Sequence, residues 1–141
     1  MAEQRASLIT LGSRDLHASR RFYCEGFCWT PAFQNEEIIF YQLNGWLLAT
    51  FAERALEDDM QRSALCRPGS FAMAHNVRRE DEVGPLIDAL VAAGGTLLRS
   101  PDRPPIGGLR GYVADPDDHA WEIAYNPAFK IDADGNLLFG V

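Results

Sequence analysis

The sequence predicts an α+β fold: two tandem β-α-β-β-β modules forming an open, curved, mixed sheet with helices on its outer face. Three observations lead there. A short apolar run, an amphipathic stretch and several extended runs occur twice, with a period of about half the chain. Each amphipathic stretch stops at glycine, Gly26 in the first copy and Gly94-Gly95 in the second. The second copy closes on GYVADPDDHAWEIAYN, from Gly111 to Asn126. There two apolar runs flank Asp115, Pro116, Asp117 and Asp118, which reads as strand, turn, strand.

The elements run in order along the chain. SLITLG, residues 7–12, is a short apolar strand ending at Gly12, and Ser13 or Asp15 caps the next element. From Asp15 to Glu25, Leu16, Ser19, Phe22 and Tyr23 recur at helical spacing while Arg20 and Arg21 point away. Three extended runs come next, Phe27 to Gln34, Glu37 to Leu43 and Trp46 to Phe51, punctuated by Asn35-Glu36 and by the hairpin signal Asn44-Gly45. From Ala52 to Gly69 the periodicity fades and charge rises, as in a surface connector with a helical turn around Leu56 and Met60. The pattern then returns. Ser70 to Val77 reads as a strand, Glu80 to Ala93 as a helix with Val83, Leu86, Ile87, Leu90 and Val91 on one side, and Thr96 to Arg99 as extended chain. A Pro- and Gly-rich loop, Asp102 to Gly108, leads into the closing hairpin. The expected organisation is one domain: module one at 7–52, linker 53–69, module two 70–126, and a tail 127–141 with a turn at Asp134-Gly135-Asn136.

Thirteen Lys plus Arg against 20 Asp plus Glu give a net charge of −7, which disfavours nucleic acid and anionic membranes as partners. No signal-peptide pattern opens the chain and no apolar run approaches the roughly 20 residues of a spanning helix, so a cytoplasmic location is expected. Cys24, Cys28 and Cys66, an odd number without staple spacing, fit a reducing compartment and read as structural thiols.

Glu122 is the residue to explain. In the run from Ala120 a period of two puts Trp121, Ile123 and Tyr125 on one face and a lone carboxylate among small residues on the other. Such a group needs a donor, a cation or water. It holds a ligand's donor, acts as a base, or sits in water at the floor of a pocket. His75 alternates with Ala74 and Asn76 toward the helical side as a core or subunit-boundary histidine, and His119 reads as a solvated turn residue. The aspartates of the turn lack a calcium loop's terminal glutamate. Among the strand aromatics Phe40, Trp46, Phe51, Tyr112 and Trp121, half should face the helices and half the hollow. Trp46 or Phe51 beside Glu122 would suit a flat apolar or cationic ligand.

LGSRDLHASRRFY after the first strand, together with GYVADPDDHAWEIAYNP, resembles the glyoxalase, bleomycin-resistance and extradiol dioxygenase group, the vicinal oxygen chelate superfamily. The resemblance spans residues 7 to 127. It implies a homodimer, a rim at Arg110 and the Pro104 to Gly108 loop where Arg110 either meets an anionic group or is a surface arginine, and, in the enzymes, a divalent metal. That metal is held by up to four His, Glu or Gln side chains from the first and last strands of the modules. Carried over by the motif anchors, those positions fall on Glu122, Leu8, Ala49 and Ala72. Three of the four cannot ligate, and one carboxylate does not hold a divalent ion against water. The expectation is therefore no metal, no cofactor and no assigned catalytic residue, with Glu122 the only candidate. The chain reads as a metal-free binder of a small organic ligand, with Glu122, Trp46, Phe51, Arg110 and Tyr112 around it. The alternatives are a lyase, isomerase or dioxygenase using a metal or Glu122 as base, and a structural domain with a filled hollow.

Overall fold

The computed structural model describes residues 1–62, 68–69 and 71–139. The expectations placed on Cys66, and on a strand starting at Ser70, lie outside the described residues.

Strand β1 (Leu8–Ser13) leads into α1 (Leu16–Arg21), whose N-terminus is capped by the Asp15 carboxylate accepting from the His17 and Ala18 amides. The helix then widens into one π-helical turn, Phe22–Gly26, that buries Phe22 and Tyr23 completely. Strands β2 (Phe33–Gln34), β3 (Ile38–Gln42) and β4 (Leu47–Ala52) complete the first module, and α2 (Glu53–Met60) comes directly after. The second module holds β5 (Met73–Asn76), a 3-10 turn (Glu80–Glu82), α3 (Val83–Ala92), β6 (Thr96–Asp102), β7 (Leu109–Ala114) and β8 (Ala120–Tyr125). A hairpin, β9 (Phe129–Ile131) with β10 (Leu137–Phe139), ends the described chain. Among the described residues no helix is long and apolar enough to cross a membrane.

The single curved sheet expected from the sequence is not what the strands form. They hydrogen-bond into two separate four-stranded sheets, β1-β4-β3-β2 and β5-β8-β7-β6, neither closing on itself nor continuing into the other. Each is mixed, since β1 runs parallel to β4 and β5 parallel to β8 while the other pairs are antiparallel. The half-chain repeat thus specifies two sheets of one topology. What joins them is side-chain packing, together with the turn between β7 and β8.

Alternation along the strands divides each sheet into two faces. Leu11, Thr50 and Ile39 lie in one row of the first sheet and Met73, Trp121 and Val113 in one row of the second, all buried. The opposite face of the second sheet carries the row Ala74, Glu122 and Tyr112. Between the modules lies an aromatic cluster. Phe27 stacks on Trp29 at 4.3 Å and meets Trp121 edge-on at 5.0 Å, while Tyr23 reaches Tyr41 at 5.5 Å.

That cluster also explains a second difference. Residues 27–32, expected as strand, are irregular, and β2 keeps only Phe33 and Gln34. Phe27 and Trp29 both turn into the core, Cys28 adopts a left-handed φ of 60° between them, and Pro31 has no amide to give a ladder. The first exit from the helix is fixed by packing instead: the Trp29 amide donates back to the Tyr23 carbonyl at 3.1 Å.

Gly95, after α3, is crowded from three sides. A Cβ there would sit 2.7 Å from Phe22, 2.9 Å from the Leu90 carbonyl oxygen and 2.9 Å from Val113. Gly95→Ala should therefore lower unfolding stability by about 1–3 kcal/mol, read as a reduced midpoint in urea at unchanged slope.

Candidate functional site

The turn between β7 and β8 is organised by one buried carboxylate. Asp115 is 2% exposed, and its Oδ1 accepts from the Asp117 amide at 2.9 Å and the His119 amide at 2.9 Å. Its Oδ2 accepts from the Tyr23 hydroxyl at 2.7 Å, and that hydroxyl accepts in turn from Trp121 Nε1 at 3.2 Å. Burial lifts the Asp115 carboxyl above its ordinary range, against the pull of His119 and of these donors. Burial, then the neighbouring Asp115 charge, lifts the Tyr23 phenol well above its usual value, so the hydroxyl keeps its proton for the bond. Asp118, at φ 69°, lets the chain close back on itself.

The same turn grips the end of β1. The Arg14 amide donates to Asp117 Oδ1 at 2.8 Å, Arg14 Nη2 donates to the Pro116 carbonyl at 3.3 Å, and the His119 Nε2–H donates to the Gly12 carbonyl at 2.9 Å. His119 is 7% exposed, so the expectation of a solvated turn histidine is corrected. The strand end of the other module supplies an acceptor that local sequence does not reveal.

Beside this clasp a cavity of about 750 Å³ opens between the end of β1, α2 and the turn. Its apolar wall includes Leu11, Leu56, Met60 and Phe71, and its polar wall includes Arg14, Asp117 and His119, with Glu53, Arg62 and Asp118 also lining it. Helix α2 presents Leu56, 8% exposed, and Met60 one turn later, then stops at Gln61 in a left-handed conformation. Sequence reading missed this cavity. Its signal was the four-residue spacing of Leu56 and Met60 in a stretch otherwise read as connector.

The five residues expected around a ligand are placed elsewhere. Glu122 on β8 and Tyr112 on β7 face each other in register, and the Tyr112 hydroxyl donates to Glu122 Oε2 at 2.8 Å. That bond, then burial, raises the Tyr112 phenol. Arg110 lies on the same face and is already paired with Asp102, which Arg99 also holds at 2.7 Å. The Arg99 bond leads in keeping the Asp102 carboxyl below its usual range. Trp46 alternates with Leu48 and packs against the core, and Phe51 lies in the other sheet, in register with Gly12 and Ile38. None of the five lines the large cavity. His75 sits against Phe27 at 5.5 Å on the helical side, and burial depresses its pKa.

As for a metal, Leu8 and Ala49 stand two register positions apart on neighbouring strands of the first sheet, and Ala74, not Ala72, stands in register beside Glu122. Among the described residues no three His, Cys, Asp or Glu side chains converge as an ion site would need. These residues do not fit a chelated divalent ion.

Comparison with known proteins places the chain. The profile of the Glyoxalase/Bleomycin resistance protein/Dioxygenase superfamily matches residues 5–123. No curated protein sequence matches significantly. Among solved structures, a glyoxalase-related enzyme from Fulvimarina pelagi is 59% identical, with a TM-score of 0.96 over 99% of this chain and 100% of that one. A hypothetical protein of S. aureus (18% identity, TM-score 0.77, 89% and 96% covered) shares the fold. So does a glyoxalase/bleomycin resistance protein/dioxygenase family enzyme from Burkholderia phytofirmans (20% identity, TM-score 0.76, 84% and 96% covered).

Tyr23→Phe removes one donor from the charged form of Asp115. The variant should lose ~1–3 kcal/mol at neutral pH. Because the lost bond favours only the carboxylate, the deficit should be full above the raised folded pKa of Asp115. It should shrink as pH falls through that value, leaving at low pH only the pH-independent cost of the Trp121 Nε1–H that has lost its acceptor. Urea unfolding of both proteins across acidic pH checks the sign.

Proposed function

The chain belongs to the Glyoxalase/Bleomycin resistance protein/Dioxygenase superfamily, and from that we propose that it binds a small organic molecule without a chelated divalent metal. The observation that carries this reading is the cavity between β1, α2 and the Asp115–His119 turn. Its volume of about 750 Å³ lies within the range typical of small-molecule sites, and its lining combines an apolar wall with a few polar groups. The substitution of aliphatic side chains at Leu8, Ala49 and Ala72 supports the metal-free part. In this reading the protein works as a cytoplasmic homodimer, apart from nucleic acid and membranes.

A specific observation favours a second reading, in which the opposite face of the second sheet is the site and the protein is an enzyme. The Tyr112–Glu122 pair presents a carboxylate whose one oxygen is held by a phenol, and a 59% identical protein is a glyoxalase-related enzyme. There Glu122 takes a proton from an acidic C–H while Tyr112 orients it. Arg110, already occupied by Asp102, then shapes the rim.

The two are separated by a thermal-shift screen of aromatic and cationic compounds on protein purified without a tag. A cavity ligand should stabilise by an amount that grows with the logarithm of its concentration, about 2.7 kcal/mol at a hundredfold excess over Kd, with EDTA leaving the melt unchanged. Met60→Trp, which fills the cavity mouth, should abolish that shift while Glu122→Gln keeps it. The opposite pattern supports the second reading. Stoichiometric metal whose removal lowers the melting temperature overturns the metal-free reading.

A further inference from the structure

We propose that the cavity beside α2 selects an organic carboxylate: a molecule whose apolar body lies against Leu56, Met60 and Phe71 and whose anionic end meets Arg14 and Arg62. The inference rests on the cavity being the binding site, and it adds the ligand's chemical class. Arg14 stands at the end of β1, held there by its own amide bond to Asp117. Its side chain is 63% exposed, with Nε 3.6 Å from Asp117 Oδ1 and Nη2 on the Pro116 carbonyl, which leaves Nη1 outside both contacts. Arg62 lines the same cavity, just beyond the left-handed stop of α2 at Gln61. A guanidinium fixed at its base, with one nitrogen outside its contacts to Asp117 and Pro116, is suited to a planar carboxylate.

The acidic groups of the wall do not cancel this. Asp117 is 5% exposed at its side chain and already accepts from Arg14, and Asp118, which also lines the cavity, is likewise engaged within the protein. Glu53 is set in the first turn of α2, where the helix end favours a negative charge. Its presence in the lining still excludes a dianion along the whole wall, and it argues for one acidic end on an otherwise apolar body. The chain's net charge of −7 makes such a preference unexpected from composition, so it has to come from these two arginines.

The test uses three probes that share a body and differ at one end: phenylbutyrate, phenylbutylamine and phenylbutanol, titrated by calorimetry into the full-length protein at low salt. Phenylbutyrate should bind about tenfold more tightly than the alcohol or the amine. Arg62→Gln, an exposed change that leaves the clasp intact, should remove most of that preference. Arg14→Gln should do the same, with its fold checked by near-ultraviolet circular dichroism. Tighter binding of the amine, equal binding of all three, or a carboxylate preference unchanged in Arg62→Gln overturns the inference. If none of the three binds to wild type while the screen yields another ligand sensitive to Met60→Trp, the carboxylate preference fails and the cavity reading stands. If no compound responds to Met60→Trp, the cavity reading fails with it.

Discussion

The structure depends on a carboxylate that has been taken out of water and then satisfied from three directions. Burying Asp115 without partners would cost several kcal/mol, and its three donors come from its own turn and from Tyr23 in the other module. The carboxylate therefore does two jobs in one place. It shapes the turn that starts β8, and it locks a helix of the first module onto the sheet of the second. Since among the described residues no main-chain ladder crosses between the two four-stranded sheets, this contact, the aromatic cluster around Trp121 and the grip of Arg14 and His119 on the turn and β1 hold the modules together.

Much of this was legible in the residues. The DPDD turn, the two-residue alternation around Glu122, the placement of His75 toward the helices and the Gly94 stop after α3 arise from local chemistry, and the structure shows each of them, whereas Gly26 is set by close packing against Leu90 and Ala93. What escaped was non-local. His119 looks like a turn residue until the Gly12 carbonyl is found across the module boundary. Phe27 and Trp29 look like strand until they are seen stacked on each other with Trp121 edge-on to both. The number of sheets was also hidden, because a repeat in sequence fixes the topology of each unit and not how the units join.

The candidate site shows the same division. Family resemblance points to Glu122, but neither it nor alternation pairs that carboxylate with Tyr112 or reveals the cavity between the end of β1, α2 and the β7–β8 turn. That volume exists because α2 continues from β4 without a break and lays Leu56 against the first sheet's end. A charged, weakly periodic stretch hides its amphipathicity when only two of its residues, four apart, do the packing.

The π-helical turn at Phe22–Gly26 sets the phase of everything after it. An α-helix advances about 100° per residue, so a residue inserted between α1 and Tyr23 would swing the Tyr23 side chain by about that angle. The hydroxyl would then leave Asp115, the indole of Trp121 would lose its acceptor, and the halves of the molecule would meet out of step. A five-residue loop of helix thus acts as the vernier of the whole assembly, and length changes should be far less tolerable at this spot than in the surface loops.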